Sequence, residues 1–268
     1  MSESFDIIII GGGIAGTSAA LTAMNRGKRT AVIANPMESE SLYKAEKITN
    51  YPGLAGLGGR EISELLRRQL EGSGARLIRG RALNIMDMGG SFGVAVGNDF
   101  YETKAVILAL GITREKLYPG EAEFLGRGVS YCATCDGMLY KGKAVALIGN
   151  NREAYDDADF LRGIGCNVLH FKENLRYEIR GGMKADTLIA GGQEHPVDGV
   201  FIIKDSISVS KLIDGLEYEN GAIVTKRDMS TSIPGVFACG DCTGKPYQLA
   251  KAAGEGNIAA LSACEYIK

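Results

Sequence analysis

Two cysteines separated by two residues, Cys132 and Cys135 in "YCATCDG", form the most reactive spacing in this chain. Thiols at that spacing close a reversible small-ring disulfide, and a nearby helix N-terminus lowers the thiol pKa and favours the nucleophilic thiolate. The chemistry would be two-electron thiol–disulfide exchange. The alternative is half of a zinc site, completed by Cys239 and Cys242 of "CGDC". Those two pairs lie far beyond the roughly 15–20 residues that separate paired zinc knuckles, which speaks against metal. "CGDC" also reads as packing rather than as a second redox pair, because free cysteine is a common small core residue, and Cys166 and Cys264 read the same way. His170 and His195 are the only histidines and neither sits in a catalytic context, which sets aside Ser-His-Asp and Cys-His schemes.

A dithiol of this kind needs a source of electrons, and two strand–turn–helix signals are the candidates for one. "FDIIII" is a continuous apolar run, the mark of a parallel strand buried on both faces. It enters a turn with Gly11, Gly13 and Gly16, then the small-residue helix "IAGTSAALTAMNRG" and the strand "RTAVIAN". That G-x-G-x-x-G in a strand–turn–helix–strand context specifies a dinucleotide. The acidic residue usual about 20 positions on is replaced by Asn35, whose amide can still hydrogen-bond ribose hydroxyls. The second signal is "KAVALIGNNREAYDDADFLRGIG". It keeps Gly149 and Ala154 but puts Asn151 where a dinucleotide turn needs its second glycine, so a Cβ pushes the backbone from the pyrophosphate or strains the turn.

The elements that must position these groups follow from the rest of the pattern. "KAVILALGI", Lys104–Ile112, is a further apolar strand ending in glycine. "TSIPGVFACGDCTGKPYQLAKAAGEGNIAALSACEYI" closes the chain as strand, turn and long helix. The second strand–turn–helix lies between them, which fits an α/β protein with an inserted second domain, the two units looking like a weak duplication. With 268 residues, 45% of them hydrophobic, the chain is long enough for two modest domains. A net charge of −2 gives no electrostatic case for nucleic acid, and no apolar run approaches the roughly 18–20 residues of a membrane span. "MSESFD" has neither a basic n-region nor a hydrophobic h-region, so the cytosol is the expected compartment.

"DIIIIGGGIAG", "ITNYPG", "GVSYCATCDG" and "IPGVFACGD", in that order and at these spacings, resemble the low-molecular-weight thioredoxin reductases over nearly the whole chain. The resemblance implies a two-domain, Rossmann-like flavoprotein disulfide reductase fold. It places an FAD domain at 1–112 and 208–268 and an inserted redox-active disulfide domain, with a degenerate NADPH-binding-like turn, at 113–207. It implies FAD held by Gly11, Gly12, Gly13, Ile14, Ala15 and Gly16 around the pyrophosphate, with Asn35, Ser41, Leu42 and Ala82 also on the cofactor. Asn50 matches an asparagine near the flavin, and Ala109 and Gly111 match a strand end in which Leu110 replaces the usual threonine. Gly240 and Asp241 match the pair whose aspartate bonds the ribityl chain. The helix from Gln248, Leu249 and Ala250 would aim its positive end at the flavin, stabilising the anionic reduced ring by about 0.3–1 kcal/mol. On the same resemblance Cys132 attacks the thioredoxin disulfide, Cys135 faces the flavin, and Asp136 is the acid that protonates a leaving thiolate.

Departures from that family cluster in one place. Besides Asn151, the stretch "HFKENLRY" keeps His170 but has Phe171 and Lys172 where the family carries the arginine pair for the extra phosphate of NADPH. One lysine does not replace arginine's bidentate fork. The segment from Glu173 to Asp186 is shortened, and "FIIKDSISVSKLI" stands in place of an "IGxxPNT"-like stretch. The chain is therefore most similar to the ferredoxin-linked flavin thioredoxin reductases, which lack a pyridine-nucleotide site. This implies a path from reduced ferredoxin through FAD and Cys132–Cys135 to thioredoxin, in a homodimer. "REISELLRRQLEGSGARLIRGR", with six arginines against three glutamates, could face an acidic ferredoxin, although solvated helices commonly look like this. A dithiol oxidase passing electrons to oxygen, a conventional NADPH reductase and a non-catalytic FAD-bound sensor are the alternatives. The intact "CATCDG" speaks against the last.

Overall fold

The computed structural model describes residues 3–34, 42–43, 45, 47–54, 56–111, 117–131, 133–203 and 212–268; Cys132, Asn35 and Ser41 lie outside these, as does the side chain of Cys135. The chain divides into two compact units, Met1–Arg114 with Ser206–Lys268, and Glu115–Asp205.

In the first unit β1 (Glu3–Ile10) leads into helix α1 (Ile14–Asn25) and parallel β2 (Thr30–Ala34). The apolar run of β1 is buried on both faces because its side chains alternate. Ile7 and Ile9 enter one core with α1, while Ile8 and Ile10 enter another. Helix α2 (Gly59–Gly72), β3 (Arg76–Arg79), β4 (Ala82–Asp87), β5 (Phe92–Val96) and β6 (Asp99–Leu108) complete this part of the sheet, ordered β3-β2-β1-β6-β5-β4. Strand β6 starts five residues earlier than its apolar run. Its half-exposed first part pairs antiparallel with β5, and its fully buried second part runs parallel to β1.

The second unit opens with the single turn α3 (Glu121–Phe124), β7 (Val129–Ser130) and the short helix α4 (Ala133–Asp136), followed by a 3-10 turn at Gly137–Tyr140. Then β8 (Ala144–Ile148), α5 (Arg152–Gly163) and β9 (Asn167–Phe171) form a second parallel strand–helix–strand unit. A three-stranded antiparallel sheet, β10 (Tyr177–Gly181), β11 (Ala185–Ala190) and β12 (Gln193–Pro196), occupies the shortened segment, and β13 (Gly199–Ile202) returns between β7 and β8.

Back in the first unit, the small hairpin β14 (Tyr218–Glu219) and β15 (Ala222–Ile223) precedes β16 (Val236–Ala238), which pairs with the buried end of β6. A 3-10 turn at Gly240–Thr243 and helix α6 (Leu249–Tyr266) close the chain. Small residues let α6 lie tightly on α1: Ser18 Oγ donates to the Ala253 carbonyl at 2.7 Å, and Asn257 Nδ2 donates to Thr22 Oγ1 at 2.9 Å. Among the described residues no helix is long and apolar enough to cross a membrane.

Candidate functional site

Two glycines of the turn between β1 and α1, Gly11 and Gly16, lie against backbone oxygens that exclude any larger residue. Gly11 adopts φ +114°, and a Cβ on it would lie 2.1 Å from the Ala109 carbonyl oxygen at the end of β6. A Cβ on Gly16 would lie 1.9 Å from the Gly11 carbonyl oxygen. These approaches bring the end of β1, the end of β6 and the first turn of α1 together. Gly13 caps α1 with extended backbone and no side-chain bond, and the first helical turn carries no acidic residue. The leading N–H groups of α1 are thus left for a ligand oxygen, in the positive field of the helix end. Buried Gly12, Ile14 and Ala15 complete the turn.

The same unit brings Ala109, Gly111, Gly240, Asp241, Gln248, Leu249 and Ala250 to the ends of β6, β16 and α6. Ala109 donates its N–H to the Ile10 carbonyl at 2.8 Å, and Gly111 follows with φ +68°. Gly240 adopts φ +83° after β16, and a Cβ there would lie 2.9 Å from Ala15 Cβ. Burial pushes the Asp241 carboxyl above the ordinary carboxylate range; nearby Lys251 opposes the shift and Glu255 adds to it. That half-buried carboxylate has no hydrogen-bond partner among the described residues. Gln248 caps α6 without a side-chain bond to the helix, and instead accepts a 2.7 Å hydrogen bond at Oε1 from Asn50 Nδ2 across 198 residues of sequence. Leu249 and Ala250 form the first turn of α6, again without an acidic residue. Leu42 packs against the core beneath α1, and the Ala82 side chain is buried at the start of β4. A backbone cradle for pyrophosphate, two uncapped helix ends and an unpartnered half-buried carboxylate fit FAD.

Sequence reasoning missed two residues here. Lys251 Nζ reaches the Gly240 and Gly244 carbonyls, each at 2.8 Å, and pairs with Glu255 at 3.2 Å. The Glu255 carboxylate accepts the Gly240 N–H at 2.9 Å. Their i, i+4 spacing was the available signal.

In the second unit the short helix α4 runs from Ala133 to Asp136 and so includes position 135 of the Cys-X-X-Cys motif. Ser130 Oγ at the end of β7 donates to Asp136 Oδ2 at 2.7 Å, tying the residues on either side of the pair together. Tyr131 Oη donates to Glu121 Oε1 at 2.9 Å, which anchors the chain immediately before Cys132. The other four cysteines are buried free thiols. Burial pushes the Cys239 thiol well up and Cys242 up to about 11, and the two side chains enter different cores. No group of three or more potential ligands able to hold a metal occurs among the described residues.

The turn between β8 and α5 departs from the expected strain. Asn151 sits at φ −87°, ψ 171°, an ordinary extended conformation. Its Oδ1 accepts the Ala154 N–H at 2.8 Å, so the side chain fills the position that a nucleotide phosphate takes at an uncapped helix end. His170 shares a 2.9 Å hydrogen bond with the Gly149 carbonyl through Nε2, and its ring stands edge-on to Tyr155. Phe171 packs on His195 and Tyr177.

A glycine cradle fit for FAD in one unit, with a Cys-X-X-Cys motif in the sequence of the other, defines a flavoprotein disulfide oxidoreductase. The chain matches the pyridine nucleotide-disulphide oxidoreductase family over residues 5–181 and 170–256, and it belongs to that family. It is 32% identical to a thioredoxin reductase of Treponema pallidum over 302 residues, an alignment covering 100% of this chain and 98% of that protein. It is 31% identical to one of Bacillus subtilis over 306 residues, covering 100% and 97%. The solved structure of a ferredoxin-flavin thioredoxin reductase from Clostridium acetobutylicum matches with a TM-score of 0.93 at 37% identity, over 99% of this chain and 98% of that one. The protein is an FAD-dependent disulfide oxidoreductase of the thioredoxin reductase type.

Proposed function

We propose that the protein reduces the disulfide of a thioredoxin with electrons from reduced ferredoxin rather than from NADPH, in the cytosol and as a homodimer. The observation that carries this reading is the Asn151 side chain on the N-terminus of α5. A nucleotide at that turn would have to displace an internal hydrogen bond, approach past a Cβ, and do so without the arginine pair that Phe171 and Lys172 replace. The similarity to a protein described as a ferredoxin-flavin thioredoxin reductase supports the same reading.

FAD supplies the junction between donors that give electrons singly and a disulfide that needs two. The chain's own residues supply the rest. Cys132 would attack the thioredoxin disulfide, forming a mixed disulfide that Cys135 resolves, with Asp136 held by Ser130 as the acid that protonates the leaving thiolate. Per turnover, two electrons from two donor molecules and two protons convert one thioredoxin disulfide into two thiols. Gly11 to Gly16, Asn50, Ala109, Gly111, Gly240, Asp241 and the start of α6 would hold the cofactor.

The test is anaerobic reduction of the yellow holoenzyme, followed by flavin absorbance. Reduced ferredoxin should bleach the flavin quickly and support turnover of oxidised thioredoxin, while NADPH and NADH should not exceed spontaneous photoreduction. Rapid stoichiometric bleaching by NADPH overturns the proposal. Oxygen consumption with a dithiol, without ferredoxin-driven turnover, would identify a dithiol oxidase instead.

A further inference from the structure

Lysine in the first turn of a helix opposes the helix dipole, and a Lys–Glu pair at i, i+4 is the weaker of the two orientations. Lys251 of α6 has both disadvantages, yet it is largely buried, with 16% side-chain exposure against 17% for Glu255. Helix stability does not account for this pair. Its bonds lead elsewhere.

The Lys251 ammonium donates to the Gly240 carbonyl, the Gly244 carbonyl and Thr243 Oγ1, at 2.8, 2.8 and 2.9 Å. Glu255 Oε2 accepts from the Gly240 N–H and Thr243 Oγ1, both at 2.9 Å. The N–H and C=O of Gly240, a residue in the left-handed region, are therefore gripped by the two members of one ion pair. Every partner of the ammonium is backbone or side chain of the turn that carries Asp241, or Glu255 itself. The Asp241 carboxylate feels the charges of Lys251 and Glu255 but makes no hydrogen bond to either, so its oxygens are presented without being used.

We propose that Lys251 and Glu255 are positioning residues for the flavin cofactor. Together they clamp the Gly240–Thr243 turn into its cofactor-bound shape before the cofactor arrives, so that binding does not have to order it. The inference rests on reading Gly240 and Asp241 as FAD contacts and is independent of the electron donor. Preorganisation of this kind shows in affinity, because the ordering cost is met during folding.

The experiment measures FAD affinity of the apoprotein by fluorescence quenching and hydrogen exchange of the 239–244 segment without cofactor. Lys251→Met, Glu255→Gln, the double variant and Asp241→Asn are compared with the parent. Losing a charge-assisted contact of about 1.5–3 kcal/mol predicts FAD binding weakened by about tenfold to a hundredfold in Lys251→Met. Faster exchange at 239–244 should accompany it, and the double variant should be no worse than the worse single. Should Lys251→Met fail to fold, Glu255→Gln carries the test, since the amide keeps the acceptor for Gly240 and removes only the charge. Parental FAD affinity in the clamp variants, with weakened binding in Asp241→Asn, overturns the clamp. Parental affinity in Asp241→Asn as well overturns the assignment of the turn to FAD, and the clamp with it.

Discussion

Restoring a conventional NADPH turn to the second unit is the most demanding perturbation that the structure suggests. The variant is Asn151→Gly with Phe171→Arg and Lys172→Arg. Replacing Asn151 by glycine removes the bond to Ala154 but costs α5 only a few tenths of a kcal/mol, since glycine is a tolerable cap. Phe171→Arg is dearer. It removes edge-on ring contacts with His195 at 5.1 Å and Tyr177 at 6.2 Å, each worth about 0.5–1.5 kcal/mol. Two new arginine–phosphate contacts would supply about 1.5–3 kcal/mol each before the ordering of two long side chains is subtracted. Together they amount to about 3–6 kcal/mol, and ordering the two side chains at about 0.5–1.5 kcal/mol each leaves at most about 5 kcal/mol, well short of the roughly 8 kcal/mol that micromolar binding needs. None of the changes touches the His170 bond to Gly149 or the backbone pairing of the sheet in the shortened segment. The variant should therefore show no saturable flavin bleaching by micromolar NADPH in anaerobic stopped flow, with circular dichroism confirming that it is folded. Saturable reduction at micromolar NADPH would refute this reasoning and show that point changes alone silence the turn. Asn151→Ala, which removes the cap without glycine's latitude, should destabilise the protein by about 1 kcal/mol; unchanged unfolding would mean that the cap carries no energy.

Three further outcomes can be checked separately. Cys135→Ser should keep FAD bound and reducible by the donor but abolish thioredoxin reduction; retained turnover would exclude Cys135 from the redox pair. Cys242, raised to about 11, should be only about 0.3% thiolate near pH 8.5 and resist alkylation in the native state. Cys242→Ala should then cost about 1 kcal/mol of stability and little turnover, and loss of turnover with flavin retained would assign "CGDC" a redox role. Because the folded state raises the Asp241 pKa, apo stability from this group is present below the unfolded value of 3.8 and is lost as pH rises through the folded one. Asp241→Asn should make the apoprotein more resistant to urea at about pH 7 than the parent, with the gap closing towards about pH 4, while weakening FAD binding.

Parts of this architecture can be read in the sequence because one residue type permits one backbone. The alternation of Ile7 to Ile10 between two cores needs a strand buried on both faces, and the run of isoleucines carries that signal in full. Strand β6 was legible only in its second half. Its first part, "DFYETK", is half exposed, so its strand nature depends on the partner β5 rather than on its own pattern. The antiparallel sheet of β10, β11 and β12 was not read for a different reason: "YEIR" does alternate, but over only four residues, and "QEHP" has no buried side chain. Asn151 was read as a missing glycine. Asparagine is also among the best helix caps, and which of the two descriptions holds is decided by the side-chain rotamer, which a sequence does not display.

The contrast between the two turns has a common physical origin. In the β1–α1 turn Gly11 and Gly16 are fixed by the fold itself: a Cβ on either would collide with backbone oxygen of the same unit, whatever ligand is bound. Losing that cradle would mean losing the packing of β1, β6 and α1. In the β8–α5 turn only Gly149 is held in this way, by the Ile203 carbonyl at 2.5 Å and Ala154 Cβ at 2.6 Å from an added Cβ, and Gly149 is the glycine that this chain keeps. The second glycine position of the motif, occupied by Asn151, takes a side chain that satisfies the helix end from within. On the proposed reading, a strand–turn–helix unit gives up a nucleotide while keeping its strands and helix once something else caps the helix, and the cap found here is the Asn151 side chain.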